Sequence, residues 1–137
     1  MLGGQLVPGD VLVHYNYQFA DGATAPNKLL VMIGERNGMV MFFVVTSQEK
    51  HGRTKKLGCQ ILTDFVSSFF IQAKHGDFDK DSWVLLEPAQ LPANELATRI
   101  AQKRAHKSFR LHNAAVNDIK ACFRRSWDYS AVYEEFQ

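Results

Sequence analysis

The sequence predicts an α+β fold: a small, mostly antiparallel β barrel followed by two helices that pack on it. Three observations predict it. Apolar, strand-like runs follow one another closely between Val7 and Gln48, turn signals separate them, and helical periodicity begins only near Asn94. At 137 residues, the chain has the size of one domain.

The first three strands lie in the N-terminal third of the chain. Val11–Tyr15 alternates, with one face more apolar than the other, which is typical of a strand. A polar loop from Tyr17 to Asn27 follows, and loops of that length are often functional. Lys28–Ile33 is the second strand, and Asn37-Gly38 predicts a hairpin to the third, Met39–Val45. Because the third strand lacks polar alternation, we expect both of its faces to be covered.

The remaining elements are predicted from shorter patterns. We expect strands over Ser68–Ala73 and Ser82–Leu86. Asn94 is expected to cap a helix that ends near Arg104, and Asn113 a helix that ends near Arg125. The parts of this single domain, 1–137, are then a barrel over about 6–88, helices over about 94–126 and an acidic tail over 128–137.

Composition excludes several classes of protein. Apolar residues make up 46% of the chain and charged residues 22%, close to the average for soluble domains. The longest apolar run, Met39–Val45, is far shorter than the roughly 20 residues that cross a membrane. No basic segment precedes an apolar stretch at the N-terminus, so no signal peptide is expected. These features predict a cytoplasmic protein.

The side chains that commonly hold metals show no suitable spacing. Cys59 and Cys122 lie far apart, and because cytosolic disulfides are rare we expect both to be reduced thiols. The histidines show no metal-ligand pattern, and there is no phosphate-binding glycine loop, so no metal and no cofactor are expected. The segment His75-Gly76-Asp77 offers an acid–base pair, but a solvated loop explains it more simply.

The distribution of charge favours a polyanionic partner. Basic residues cluster in Lys50–Lys56 and again in Arg99–His112, and neither block contains an acidic residue. Either block alone fits a solvated surface. Together they favour a surface that faces nucleic acid.

The candidate site lies where the second and third strands meet. Thr46-Ser47-Gln48 follows the third strand, and hydroxyls there can hydrogen-bond a phosphate or a developing oxyanion. Lys28 begins the second strand. Because a hairpin makes the two strands antiparallel, Lys28 should lie beside Thr46 and Ser47, close to the basic loop. Hydroxyl residues also commonly just end strands, so the residues alone leave both interpretations open.

The order of these parts resembles the MazF/PemK family, which consists of SH3-like barrels that act as toxin ribonucleases of type II toxin–antitoxin systems. Pro8–Val13, a glycine-bearing loop, a strand opened by a cation and a strand that runs into Thr46-Ser47-Gln48 carry the resemblance. Ser82–Leu86, Pro88–Leu91 and the late helix over 111–126 extend it more faintly. It spans most of the chain, with motif-like detail in the first 48 residues.

The resemblance implies a metal-independent endoribonuclease that cleaves single-stranded RNA, forms a homodimer and has a cognate antitoxin protein as partner. The family's arginine and its threonine or serine fall on Lys28 and Thr46 here, with Ser47 as a neighbour. Lysine keeps the charge of that arginine but lacks its bidentate fork. The residues expected to hold RNA are Gln48, Lys50, Arg53, Lys55 and Lys56, with Tyr15, Tyr17 and Phe19 as stacking surfaces.

The missing arginine leaves a second hypothesis open. The chain could be a non-catalytic SH3-like barrel module that binds nucleic acid or a protein partner. Such a module would bind RNA with a steep dependence on salt and would not cut it.

Overall fold

The computed structural model describes residues 6–73 and 78–136. Within these ranges the chain forms strands β1 (Asp10–Gln18), β2 (Thr24–Arg36), β3 (Met39–Thr46), β4 (Gly58–Gln60), β5 (Ser68–Ile71), β6 (Ser82–Leu85), β7 (Ala89–Pro92) and β8 (Ala105–Arg110), helices α1 (Ala93–Ala101) and α2 (Asn113–Arg125), and a short 3-10 helix (Ala131–Glu135). None of the described helices is both long and apolar enough to cross a membrane.

All the strands belong to one antiparallel sheet, in the order β4-β5-β6-β3-β2-β1-β8, with β7 paired to β3. The two ends, β4 and β8, do not pair with each other in the described parts of the chain, so the sheet is open there and the predicted antiparallel β barrel is not confirmed. Helix α2 follows β8 and contacts β4 and β5, so a helix covers the core between the two ends. The fold is α+β and mainly β, as the sequence predicts.

Each face of the sheet carries its own apolar core. Val31 and Phe43 pack with Ile119 of α2, and we call this side the α2 face. Leu30 and Phe42 pack with Leu96 of α1 on the other side, the α1 face. Side chains of successive strand residues point to opposite faces, so a strand buried on both needs apolar residues throughout. The prediction that the third strand is covered on both faces is confirmed.

The loop predicted for Tyr17–Asn27 is mostly strand. β1 continues to Gln18, which lies opposite Thr24 at the start of β2. The turn is closed by a 2.7 Å hydrogen bond from the Phe19 N–H to the Ala23 carbonyl. The prediction was wrong because the outer part of this hairpin is exposed, and polar side chains there are compatible with strand pairing.

The second basic block also folds differently from the prediction. Its first part, up to Arg104, is predicted to be helical, but α1 ends at Ala101 and the chain returns as β8. Lys103, at φ +60°, lies in the left-handed region between the two elements. The predicted asparagine caps are wrong as well. The N-cap residues are Pro92 and His112, and neither makes a side-chain capping bond.

A buried carboxylate fastens β1 to β8. Asp10 is fully buried, and its Oδ1 accepts a 2.7 Å hydrogen bond from Arg110 Nε. Lys107 Nζ lies 3.4 Å from its Oδ2, which also accepts a 2.8 Å bond from the Val7 N–H. A buried charge needs such partners. Part of the second basic block therefore has a structural role.

Cys59 and Cys122, which the sequence predicted to be reduced thiols, form a disulfide with a Cα–Cα distance of 5.4 Å. The bond joins β4 to α2 across a sequence separation of 63 residues. Only the packing of α2 against the end of the sheet brings the two residues together, so their spacing in the sequence gave no sign of it.

Reduction of the disulfide should destabilise the fold. Cross-links restrict the unfolded chain, and we expect dithiothreitol to lower the free energy of unfolding by about 2–4 kcal/mol in urea titrations. The double variant C59A/C122A should have the stability of the reduced protein and should not respond to dithiothreitol. Equal free energies of unfolding with and without dithiothreitol would contradict a stabilising Cys59–Cys122 bond.

Gly9 should tolerate alanine less well than Gly22. Both have a positive φ, +98° and +90°. A Cβ at Gly9 would lie 2.8 Å from Val116 Cγ2, whereas a Cβ at Gly22 meets nothing within 4 Å. We expect Gly9→Ala to cost about 1–3 kcal/mol more than Gly22→Ala in urea unfolding, because the added methyl group overpacks the α2 contact. Equal losses would show that backbone strain alone matters.

Candidate functional site

One cross-strand row of the sheet carries the candidate site. Lys28 of β2 is paired with His14 of β1, and Thr46 of β3 is paired with Trp83 of β6. Leu29 pairs with Val45 one step earlier, so continuation of the same antiparallel register places Lys28 beside Thr46. The adjacency that the sequence predicted for Lys28 and Thr46 is present.

Lys28, Thr46 and Ser47 all line one cleft of about 570 Å³, which we call the Lys28 cleft. The sequence did not identify the rest of its wall, which comes from the segment that leads into β6 and from β8, an element not recognised as a strand. Further residues of the wall are Phe78, Asp79, Lys80, Ser82, Ser108 and Phe109.

The ammonium group of Lys28 is held in an unfavourable environment. Burial lowers its pKa, and the positive charge of Arg53 lowers it further. Among the described residues, no carboxylate lies within ion-pair distance of Lys28. A partly buried charge without such a partner costs stability, so this position favours a ligand that supplies negative charge.

Thr46 is connected to the basic loop through backbone contacts. It is buried, and its Oγ1 accepts a 3.2 Å hydrogen bond from the Gln48 N–H. The Gln48 carbonyl in turn accepts a 3.0 Å bond from Arg53 Nε. The hydroxyl proton of Thr46 is not used in that contact, so it can be donated to a ligand.

Arg53 and the amide of Gln60 fix the shape of the basic loop. Arg53 is only 8% exposed, and we infer that it stabilises the loop. The direct contacts with RNA expected of Arg53 would then be made by its exposed neighbours. Gln60 Nε2 donates to the carbonyls of Thr54 at 2.7 Å and Lys56 at 2.8 Å. The Trp83 indole N–H also donates to the Thr54 carbonyl, at 2.8 Å. The exposed cations of the loop are Lys50, Lys55 and Lys56.

The two tyrosines expected to stack on RNA differ in accessibility. Tyr15 is 40% exposed and lies beside His106, with ring centroids 5.7 Å apart. Tyr17 is only 7% exposed and packs edge-on against His14 and Phe42. Burial therefore contradicts a stacking role for Tyr17, while the Tyr15 ring is accessible.

Two other kinds of site were considered from the sequence: a metal site and an acid–base pair. Among the described residues, no three His, Cys, Asp or Glu side chains are grouped so that they could hold a metal ion. The pair in His75-Gly76-Asp77 lies outside the described residues.

Comparison with known protein families finds no family model that matches this chain. Comparison with curated proteins finds no match either. A functional assignment therefore depends on the geometry of the chain's own residues.

Replacement of Lys28 by methionine should stabilise the protein. The pKa of Lys28 in the folded state lies below its ordinary value of 10.5, so stability is reduced at neutral pH and recovers as the pH rises from the lowered pKa toward 10.5. We expect Lys28→Met to raise the free energy of unfolding at neutral pH by about 1 kcal/mol. The variant should also lack the part of the increase in stability at alkaline pH that comes from deprotonation of Lys28.

The control is Lys50→Met, an exposed lysine in the neighbouring loop. Its effect on urea unfolding should stay within about 0.5 kcal/mol, as for most surface substitutions. A lower free energy of unfolding in Lys28→Met would mean that interactions in the folded protein offset the cost of burying the ammonium group.

Proposed function

We propose that this protein is a metal-independent endoribonuclease that cleaves single-stranded RNA at the Lys28 cleft. The observation that carries the proposal is Lys28, partly buried and without a carboxylate partner among the described residues, on a strand position beside Thr46 in the lining of the same cleft. Cleavage of a phosphodiester without metal needs a positive charge for the transition state and a donor that positions the phosphate. Lys28 and Thr46 are suited to these two roles.

The proposed chemistry is attack by the ribose 2′-hydroxyl on the adjacent phosphorus, with departure of the 5′ oxygen of the next nucleotide. The 2′-hydroxyl loses its proton to water and the departing oxygen takes one from water, which leaves a 2′,3′-cyclic phosphate and a 5′-hydroxyl. Lys28 would face the non-bridging oxygens as their charge develops, and its partial desolvation would strengthen that interaction. Thr46 would donate its hydroxyl proton to the same phosphate. The contacts among Thr46, Gln48 and Arg53 would hold that hydroxyl in place.

The RNA strand would leave the cleft along the basic loop. Lys50, Lys55 and Lys56 are exposed there, although Lys55 also pairs with Asp81 at 3.4 Å. Ser47 and Gln48 would contribute polar contacts at the mouth of the cleft, and Tyr15 an exposed ring. The braced shape of the loop favours binding, because less ordering is needed when RNA arrives.

The finer expectations from the MazF/PemK resemblance belong to the same proposal. These are an SH3-like barrel fold, a homodimer, a cognate antitoxin and a cytoplasmic toxin. The Cys59–Cys122 disulfide is the observation against a reducing cytoplasm, where such bonds are rare. Alkylation of free thiols during cell lysis would measure directly whether Cys59 and Cys122 are oxidised or reduced in the cell.

A module that binds RNA without cutting it is the second candidate. One observation favours it: the described wall of the Lys28 cleft contains no histidine, the most frequent general acid–base in enzymes. An SH3-like module of this kind could also bind a protein partner. It would use the same cations, so only a cleavage assay separates the two functions.

The first experiment follows cleavage of a labelled single-stranded RNA in excess EDTA. We expect the wild-type protein to cut it, and Lys28→Ala to reduce the rate by about 10²–10³-fold, because the transition-state charge loses its cation. The matched control, Lys50→Ala, should chiefly weaken binding and lower its salt dependence. Equal cleavage by the wild type and Lys28→Ala would remove the nuclease proposal, and binding without cleavage would establish the second candidate.

A second experiment uses Lys28→Arg, which restores the residue typical of the family. Because the pKa of Lys28 is lowered, cleavage by the wild type should decline in alkaline buffer at a lower pH than for an ordinary lysine. Arginine stays protonated, so Lys28→Arg should keep its rate over that range. Identical alkaline limbs in the two pH–rate profiles would exclude Lys28 as the group that loses its charge.

A further inference from the structure

A second cleft, of about 780 Å³, lies on the α1 face. The end of α1, the β1–β2 hairpin and the connection from β6 to β7 enclose it, and we call it the His14 cleft. Its described lining shares no residue with that of the Lys28 cleft. The two clefts can therefore be altered separately.

The floor of the His14 cleft is a buried, neutral imidazole. His14 is 1% exposed, and its Nδ1 lies 2.9 Å from the Tyr15 carbonyl oxygen, which can only accept. Nδ1 therefore carries the proton, and Nε2 accepts a 3.2 Å hydrogen bond from Arg99 Nη1. This hydrogen bond holds the guanidinium group of Arg99 beside the imidazole ring in the lining of the cleft.

The floor also carries positive charge and an unused donor. Arg99 Nε is buried and has no hydrogen-bond partner, while its Nη2 pairs with Glu95. Arg104 lines the same cleft. Burial lowers the pKa of His14, and the charges of Arg99 and Arg104 lower it further, so both guanidinium groups act on the ring. Two guanidinium groups in the lining of one cleft favour an oxyanion.

The walls and the rim limit the size and charge of a ligand. Phe19 is partly exposed and forms an aromatic wall, packed edge-on against the buried Tyr17 with ring centroids 5.1 Å apart. Asp21 and Glu87 are exposed and contribute negative charge to the lining. A polyanion such as RNA would meet these carboxylates, whereas a small ligand can place one anionic group on the floor and an uncharged body against the rings.

We propose that the His14 cleft binds a small molecule with a carboxylate or phosphate group on a planar apolar body. The oxyanion would contact Arg99 and Arg104, and the body would pack against Phe19. This site rests on residues that the proposed nuclease chemistry does not use, so either proposal can fail without the other.

Titration of the protein with benzoate, phenyl phosphate, inorganic phosphate and benzyl alcohol, followed by NMR, tests the site. Benzoate, phenyl phosphate or both should cause saturable shifts in the ring signals of His14 and Tyr17, and comparison of the two identifies the anionic group. Benzyl alcohol and inorganic phosphate, which each lack one half of the ligand, should bind at least about tenfold more weakly.

Two matched variants localise the binding. Arg104 and Lys103 are neighbouring exposed cations after α1, and only Arg104 lines the cleft. Arg104→Gln should weaken binding of the better aromatic probe about tenfold, whereas Lys103→Gln should leave it within about twofold of the wild type. Melting temperatures of both variants verify that they are folded.

The pKa of His14 supplies an independent readout. The charged groups that face its ring are Arg99 and Arg104, and Lys28 is its paired residue in β2. A bound oxyanion adds negative charge beside them and should raise the pKa of His14 in the NMR titration.

Four outcomes would overturn the proposal: no saturable shift with either aromatic anion, equal affinity for benzyl alcohol, equal losses in the two variants, or an unchanged pKa of His14 in the complex. A single-stranded oligonucleotide that shifts His14 when the small probes do not would assign the cleft to the RNA path and would overturn it as well.

Discussion

The register between β2 and β3 is the constraint on which the rest of the structure depends. A slip of β3 by one residue along β2 would move Phe43 from the α2 face to the α1 face and would separate Lys28 from Thr46. Residues Val40–Thr46 are all buried, so both cores oppose such a slip. The packing that stabilises the sheet therefore also sets the cation beside the hydroxyl.

Much of the N-terminal half could be predicted from the sequence because its signals are local. Asn37-Gly38 specifies the β2–β3 hairpin through two residues at positive φ, +50° and +78°. That turn alone would place Lys28 opposite Ser47, and the register shift between Met32 and Gly34 places it opposite Thr46 instead. β8 could not be predicted in this way, because it is a short polar edge strand whose partner, β1, lies far away in the chain. The disulfide and the His14 cleft also depend on contacts between distant segments.

The two clefts use cations in different ways. In the Lys28 cleft a partly buried ammonium group has no carboxylate partner among the described residues, which costs stability and favours an incoming phosphate. In the His14 cleft a neutral imidazole orients Arg99, and Glu95 balances part of its charge. Natural proteins often retain destabilising groups where function requires them. Lys28 fits that description, whereas Asp10 and its two cations join β1 to β8.

In the function proposed above, the charge of Lys28 serves RNA cleavage and lowers the free energy of unfolding. Parallel measurement of the RNA cleavage rate and the free energy of unfolding for the wild type and Lys28→Met tests it most directly. We expect the variant to lose cleavage while its free energy of unfolding rises. Retained cleavage, or a loss of cleavage together with a loss of stability, would contradict it.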